Sequence, residues 1–542
     1  MSSAKEPVTR RFGNGLTVLI KEDKSHPVVS LQYWVGTGSM NEGHWQGSGL
    51  SHLLEHLVFK GTAHFSGQEL ARKVQERGGH WNAYTSVNRT VYYIDGPAES
   101  WQIFLNLLTE LVFFPTFPED EMEREKEVVR REMAMYADDP DSVAYQLLMQ
   151  TLYLKHPRRW PVLGERAAFD CLTRQDVLDY HASRYVPNNV VLSIAGDVDA
   201  AEILSHLELL VEDLKSRPLN REPIPHEPHQ FGSRRVRKEF AVPYSKLHLA
   251  WRLPCSAHPD TPALSALSSI LGGGRSARFY EKFHDRLGLV YSIEVHSNQS
   301  ETDEGAFTIS MDVDRAQRDK VRDLVLQELR NLAEEDFTED LKRVCKQTRV
   351  SRLRRRSSAS GVASEMGADW FGSRNLSLSS EWQEAIERVT TEDLHRVCST
   401  WLSSPNVTEV SLDPPGSNAG DEERASASAG TALSEHVLGN GMKVVIREDH
   451  RLPLAYACMA FKAGCRAENE HDAGVTDLMS ECLLKGTSTR SAADIARFLE
   501  DIGGAINTST GNNSLSVGCQ VLAEDLDAGL ELMADVGMNP SF

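Results

Sequence analysis

The chain has 542 residues, more than one hydrophobic core can organise, so several domains are expected and a small disulfide-stapled or metal-nucleated fold is excluded. With 58 Lys and Arg against 78 Asp and Glu, the formal net charge is −20, which repels a phosphate backbone and removes nucleic acid from the expected partners. Apolar residues at 40% and charged residues at 25% are ordinary for a globular protein with a large core. The eight cysteines show no CxxC spacing and read as reduced thiols filling that core. The N-terminus has no apolar h-region, and no later stretch offers about 18 continuous apolar residues. The expectation is a soluble, cytoplasmic protein with no membrane partner.

In chain order, the alternating runs Leu16 to Ile20 and Val28 to Val35 predict strands. Gly47-Ser-Gly-Leu-Ser-His-Leu-Leu-Glu-His-Leu-Val-Phe-Lys-Gly-Thr62 predicts a short helix, with Ser48 as N-cap and Gly61 as its stop. Leu50, Leu53, Leu54, Leu57 and Val58 form its apolar stripe, and the opposite face carries His52, Glu55 and His56. Two imidazoles one turn apart can point at one ion, and the carboxylate between them stands beside it without binding it. Paired histidines also occur on plain solvated faces, so a third ligand is needed from another element.

Gln68 to Gly78 and Ala98 to Leu111 have helical periods, and Thr90 to Ile94 reads as a strand. Pro118 to Tyr136 predicts a long helix with acid in its first turn, as the helix dipole prefers. Glu125 and Glu132 on it are seven apart and share a face. Val190 to Ala195 is a further strand, and residues 217–232, rich in Pro, His and charge, mark a boundary. Leu271 to Arg278 is glycine-rich but lacks the Gly-Lys-Ser/Thr ending of a phosphate loop. Arg349 to Arg356 reads as a solvated basic helix end, and residues 416–432 have linker composition.

The chain then repeats itself. Asn14-Gly-Leu-Thr-Val-Leu-Ile-Lys-Glu-Asp23 returns as Asn440-Gly-Met-Lys-Val-Val-Ile-Arg-Glu-Asp449, identical at six of ten positions. The register continues through Gly38 and Gly464, loses one residue, and carries on through Lys60-Gly-Thr62 and Lys485-Gly-Thr487, Gly78-Gly79 and Gly503-Gly504, and Pro115-Thr-Phe117 and Pro540-Ser-Phe542. A spacing of 425 residues implies two domains per copy. The expected fold class is α+β, with repeated two-layer domains of mainly antiparallel sheet and packed helices. The second copy reaches only the counterpart of Phe117, so the chain reads as part of a protein of roughly 850 residues.

The segment around His52 resembles the pitrilysin/insulinase family of zinc metallopeptidases, whose inverted motif is HxxEH. In that family the third ligand is a Glu 76 residues after the second His, which falls on Glu132. The resemblance implies that His52, His56 and Glu132 bind Zn2+, that Glu55 is the general base, and that Glu125 is a supporting glutamate. It extends to the FKGT after the motif and to Gly78-Gly-His-Trp-Asn-Ala-Tyr-Thr85, an edge strand on which substrate pairs, making Asn82 and Ala83 candidate substrate contacts. His80 beside them reads as a packed or exposed side chain.

By the same resemblance, residues 7–216 are a catalytic zinc peptidase domain and 217–415 a second α+β domain. Residues 433–542 are then a partial third domain that repeats the first without its metal motif, since Asp477, Ser480 and Glu481 stand in register with His52, Glu55 and His56. The implied activity is zinc-dependent endopeptidase cleavage of peptides or small unfolded polypeptides. The second half of the same protein, or a partner subunit, closes a chamber around them. A processing peptidase for basic presequences and a non-catalytic structural subunit are the alternatives.

Overall fold

The computed structural model describes residues 6–219, 223–299, 305–402, 405–415, 434–446, 454–469, 471–502 and 504–542. The linker expected at 416–432 lies outside the described residues. The chain divides into two units, Met1–Asp421 and Glu422–Phe542.

The first unit holds two sheets. One is built from β1 (Val8–Arg11), β2 (Thr17–Glu22), β3 (Val28–Val35), β4 (His80–Thr85), β5 (Thr90–Pro97) and β6 (Val190–Gly196), in the order β1-β2-β6-β3-β5-β4. Every pairing is antiparallel except β2 with β6. The second contains β7 (Arg234–Glu239), β8 (Ser245–Leu253), β9 (Val290–Asn298), β10 (Gly305–Val313) and β11 (Thr408–Asp413), ordered β7-β11-β8-β10-β9, with β7 and β11 parallel. The segment 217–232 falls between the two sheets. The predicted strands coincide with β2, β3, β5 and β6 to within a few residues.

Five helices of the first repeat position the site: α1 (Leu50–Leu57), α2 (Gly67–Gln75), α3 (Trp101–Phe113), α4 (Glu119–Asp138) and α5 (Pro140–Leu152). The inner face of the first sheet, with Leu31, Tyr33, Leu192 and Ile194, packs on α1 and α3 through Leu54, Leu57, Phe104 and Leu108. Alternation along the same strands sends Leu19, Trp34, Val191 and Ala195 to the other face.

That outer face adds a layer the sequence does not disclose. Helix Ala359–Ser373, from beyond the second sheet's first four strands, lies across it with Val362, Ala363 and Met366. A Cβ on Gly367 would come within 2.3 Å of the Trp34 ring, so only glycine lets this helix approach. In exchange, α5 leaves the first sheet and packs Leu148, Met149 and Leu152 against Ala250, Ala306 and Val410 of the second. Each such buried aliphatic side chain contributes about 1.5–3 kcal/mol, so the exchange welds the two halves of the first unit into one body.

The second unit contains the hairpin β12 (Ser434–Val437) and β13 (Lys443–Ile446), and a three-stranded sheet of β14 (Leu454–Phe461), β15 (Ala505–Thr510) and β16 (Leu515–Leu522) in the order β14-β16-β15. The duplication is visible in detail. The isolated bridges Gly61–Ser66 and Thr62–Pro115 recur as Gly486–Ser491 and Thr487–Pro540. The expectation that the cysteines fill the core is corrected: Cys398 and Cys519 are buried, whereas Cys171, Cys458 and Cys465 are exposed. Cys171 and Cys465 lie at a helix end and a turn, and Cys458 lies within β14, an outermost strand of its sheet.

Candidate metal centre

The leucine stripe fixes α1: Leu50, Leu53, Leu54, Leu57 and Val58 are all fully buried. Its start differs from expectation. The N-cap is Gly49 rather than Ser48, with φ +73° and a backbone so close to Leu163 that an added Cβ would lie 2.0 Å from the Leu163 carbonyl oxygen. No cap side chain serves the first turn; instead the buried carboxylate of Glu42 accepts the Ser51 amide at 2.8 Å. Burial pushes Glu42 up to about 8, its bonds to backbone amides pulling the other way. The Ser51 hydroxyl in turn meets Tyr180 Oη at 2.7 Å, tying α1 to the helix Arg174–Arg184.

The apolar anchors of α4 are Met122 and Val129, both buried. Glu125 and Glu132, three residues after each anchor, share that inward side of the helix and so face α1. Glu132 Oε2 lies 3.9 Å from His52 Nε2 and 3.9 Å from His56 Nε2. The three ligand atoms all fall within 4.8 Å of one another, and among the described residues this is the one such group of three. Glu125, buried behind it, places Oε2 3.1 Å from His56 Nδ1, and Lys60 Nζ holds its other oxygen at 2.7 Å. The structure thus brings together all four residues singled out as ligands and support.

Glu55 stands beside the group. Its Oε2 accepts the Thr85 hydroxyl at 2.5 Å, linking α1 to the end of β4. That strand is the outermost of its sheet, paired to β5 on one side only. Asn82 is exposed on it and Ala83 is half-buried, with the Asn82 side chain accepting the Ala83 amide at 2.9 Å. His80 is exposed at the start of the strand, its ring 6.2 Å from that of Tyr93. The sequence assigns no role to Lys60, Glu42 or Thr85, since each acts through the fold. Lys60, within the FKGT, and Thr85, at the end of the strand segment, lie in stretches the sequence marks; Glu42 does not.

The electrostatics suit a cation. Burial pulls His52 down to about 4, leaving its ring neutral and its lone pair available. His52 Nδ1 is buried with no hydrogen-bond partner among the described residues. For His56, burial opposes protonation, but the bond to Glu125 and the charges of Glu55 and Glu132 outweigh it. Burial raises Glu55, against the hydrogen bond from Thr85. Two imidazoles and one carboxylate are the donor set of a catalytic zinc with one position left open, and a glutamate behind one imidazole fixes its tautomer. The residues present fit the metal.

In the second unit, helix Val475–Leu483 begins at Gly474 with φ +89°, as α1 begins at Gly49. Glu468 accepts the Thr476 amide at 2.9 Å, as Glu42 accepts that of Ser51. The scaffold is retained while Asp477, Ser480 and Glu481 occupy the motif positions.

Comparison with known proteins agrees with both repeats. The insulinase (peptidase family M16) family model matches residues 17–166 and again 443–542, and the peptidase M16 inactive domain model matches 172–347. An uncharacterized zinc protease of Mycobacterium tuberculosis is 30% identical over 299 residues, 54% of this chain and 67% of that protein. The chain belongs to peptidase family M16. Among M16 relatives, an uncharacterized zinc protease of Rickettsia felis is 27% identical over 406 residues, 73% of this chain and 94% of its own length. A protease from Helicobacter pylori has a crystal structure that superposes with a TM-score of 0.70 at 26% identity, covering 76% of this chain and all of that one. A peptidase M16 inactive domain from Pseudomonas fluorescens, 21% identical with a TM-score of 0.69, shares the fold over 76% of this chain and 98% of its own. Among the described residues, no helix is long and apolar enough to cross a membrane.

Proposed function

We propose that this M16 chain is a zinc-dependent metalloendopeptidase acting on peptides or small unfolded polypeptides. One observation carries the reading: the ligand atoms of His52, His56 and Glu132 converge beside Glu55, next to an open sheet edge. His52, His56 and Glu132 would hold Zn2+, and Glu125, braced by Lys60, orients His56. Bound there, the metal supplies Lewis-acid chemistry, acidifying water and polarising a carbonyl. Glu55 takes a proton from the attacking water and delivers it to the departing amine as the C–N bond breaks. The unpaired side of β4, with Asn82 and Ala83, holds an extended peptide through backbone hydrogen bonds and is largely indifferent to its sequence.

Residues 7–216 are then the catalytic domain, 217–415 the second domain and 433–542 a degenerate copy of the first. The chamber is closed by the second half of the same protein or by a partner subunit. All eight cysteines are unpaired, which accords with a reducing, cytoplasmic setting. The test is hydrolysis of a quenched fluorogenic peptide by parent and Glu55→Gln proteins of equal zinc content. The reading expects activity in the parent alone, and equal rates in both would refute it. Cleavage-site mapping with a peptide library separates this general activity from presequence processing.

A further inference from the structure

Thr85 is the point at which the sheet edge reaches the polar face of α1. Among the described hydrogen bonds its hydroxyl serves Glu55 alone, at 2.5 Å, and its amide acts on the same carboxylate. A glutamate side chain has freely rotating bonds, so an unrestrained carboxylate would spend little time in any one orientation. A hydroxyl donating to a charged oxygen is strong enough to choose one. The second repeat carries an independent instance: Thr510, at the same place in β15, donates to Asp477 Oδ1 at 2.9 Å. The edge-strand hydroxyl is kept there although the helix carboxylate has moved by one turn. Valine would fill the same space, so packing alone does not call for the hydroxyl.

Resting on the proposed peptidase function, we infer that Thr85 is a positioning residue for the general base. Its hydroxyl fixes the Glu55 carboxylate in the orientation that accepts the proton of the attacking water. Because Thr85 belongs to the strand along whose open side the peptide would lie, base and substrate are registered on one element.

The test compares Thr85→Val with Thr85→Ser. The valine variant should keep the parent's zinc content, lose roughly 10- to 100-fold in kcat and change KM by less than about twofold, because the group it disturbs acts in the transition state. The serine variant should stay within about threefold of the parent in kcat, since the hydroxyl is restored. A valine variant as active as the parent, equal losses in the two variants, or a loss confined to KM would overturn the assignment. A second measurement stands apart from peptidase activity: crystal structures of the zinc-free variants. The Glu55 carboxylate should leave its position in Thr85→Val and keep it in Thr85→Ser. If it holds its place without the hydroxyl, Thr85 does not position it, whatever reaction the protein catalyses. Should the parent bind zinc and hydrolyse nothing, the functional reading fails while this structural comparison still decides the role of Thr85.

Discussion

Three glutamates crowd around two histidines, and their surroundings give them different work. Glu132 points its oxygen between the two Nε2 atoms, Glu125 lies behind His56 in the grip of Lys60, and Glu55 is turned toward Thr85. Glu55→Gln should therefore keep zinc and lose roughly 100- to 10,000-fold in kcat, since the amide preserves shape and loses the proton acceptor. Glu132→Gln should instead lower zinc retention in dialysis against a chelator; if the two variants retained metal alike, the division of roles would be wrong. Lys60→Met should weaken zinc affinity by about 10- to 100-fold through the freed Glu125, a magnitude ordinary for groups that orient a metal ligand. Competition with a chromophoric chelator measures it directly.

At the scale of elements, α1 depends on a backbone position more than on its own sequence. Gly49→Ala would put a Cβ into the Leu163 carbonyl and force a left-handed φ on a residue that resists it. The substitution should cost about 2 kcal/mol or more and lower the melting midpoint together with zinc content. An unchanged midpoint would mean the loop relaxes freely. What was legible in the sequence follows the same division. The stripe Leu50 to Val58, the runs that became β3 and β6, and the acid-led helix α4 declare themselves through local periodicity. The seating of Gly367 on Trp34 and the exchange of α5 for helix Ala359–Ser373 are contacts between distant segments, and the bond from Ser51 to Glu42 closes an irregular loop; no periodic pattern encodes them. Ser48 was an ordinary cap choice that failed because a tertiary carboxylate had already taken the first-turn amide. At the centre itself, spacing offered the histidine pair, but the match of Glu132 came from resemblance, since several glutamates of α4 were equal by composition.

For the whole molecule, stability should depend on acid in a defined window. His248 is buried and His181 half-buried; His181 Nε2 donates to the Val112 carbonyl at 2.9 Å, His248 Nδ1 shares a proton with Ser310 Oγ at 2.8 Å, and burial pulls both down to about 4. Between that value and the ordinary histidine value near 6.5, the unfolded chain binds protons that the folded chain refuses. Each ring therefore weakens folding as pH falls from about 6.5 to 4, by an upper bound of about 3 kcal/mol, while buried Glu42, raised to about 8, acts in the opposite direction down to its ordinary value near 4.5. Melting midpoints of the zinc-free parent should decline more steeply across that range than those of a His181→Gln, His248→Gln variant, and identical profiles would show that the two rings are solvated.

In the proposed function, one zinc held by His52, His56 and Glu132 makes this M16 chain a peptidase. The most direct test is to titrate zinc into the metal-free protein while following hydrolysis of a quenched peptide. Hydrolysis should rise with added metal and saturate at one equivalent per chain, since among the described residues the ligand group occurs in the first repeat alone. Hydrolysis independent of zinc, saturation at two equivalents, or tight uptake of one equivalent with no hydrolysis would contradict it.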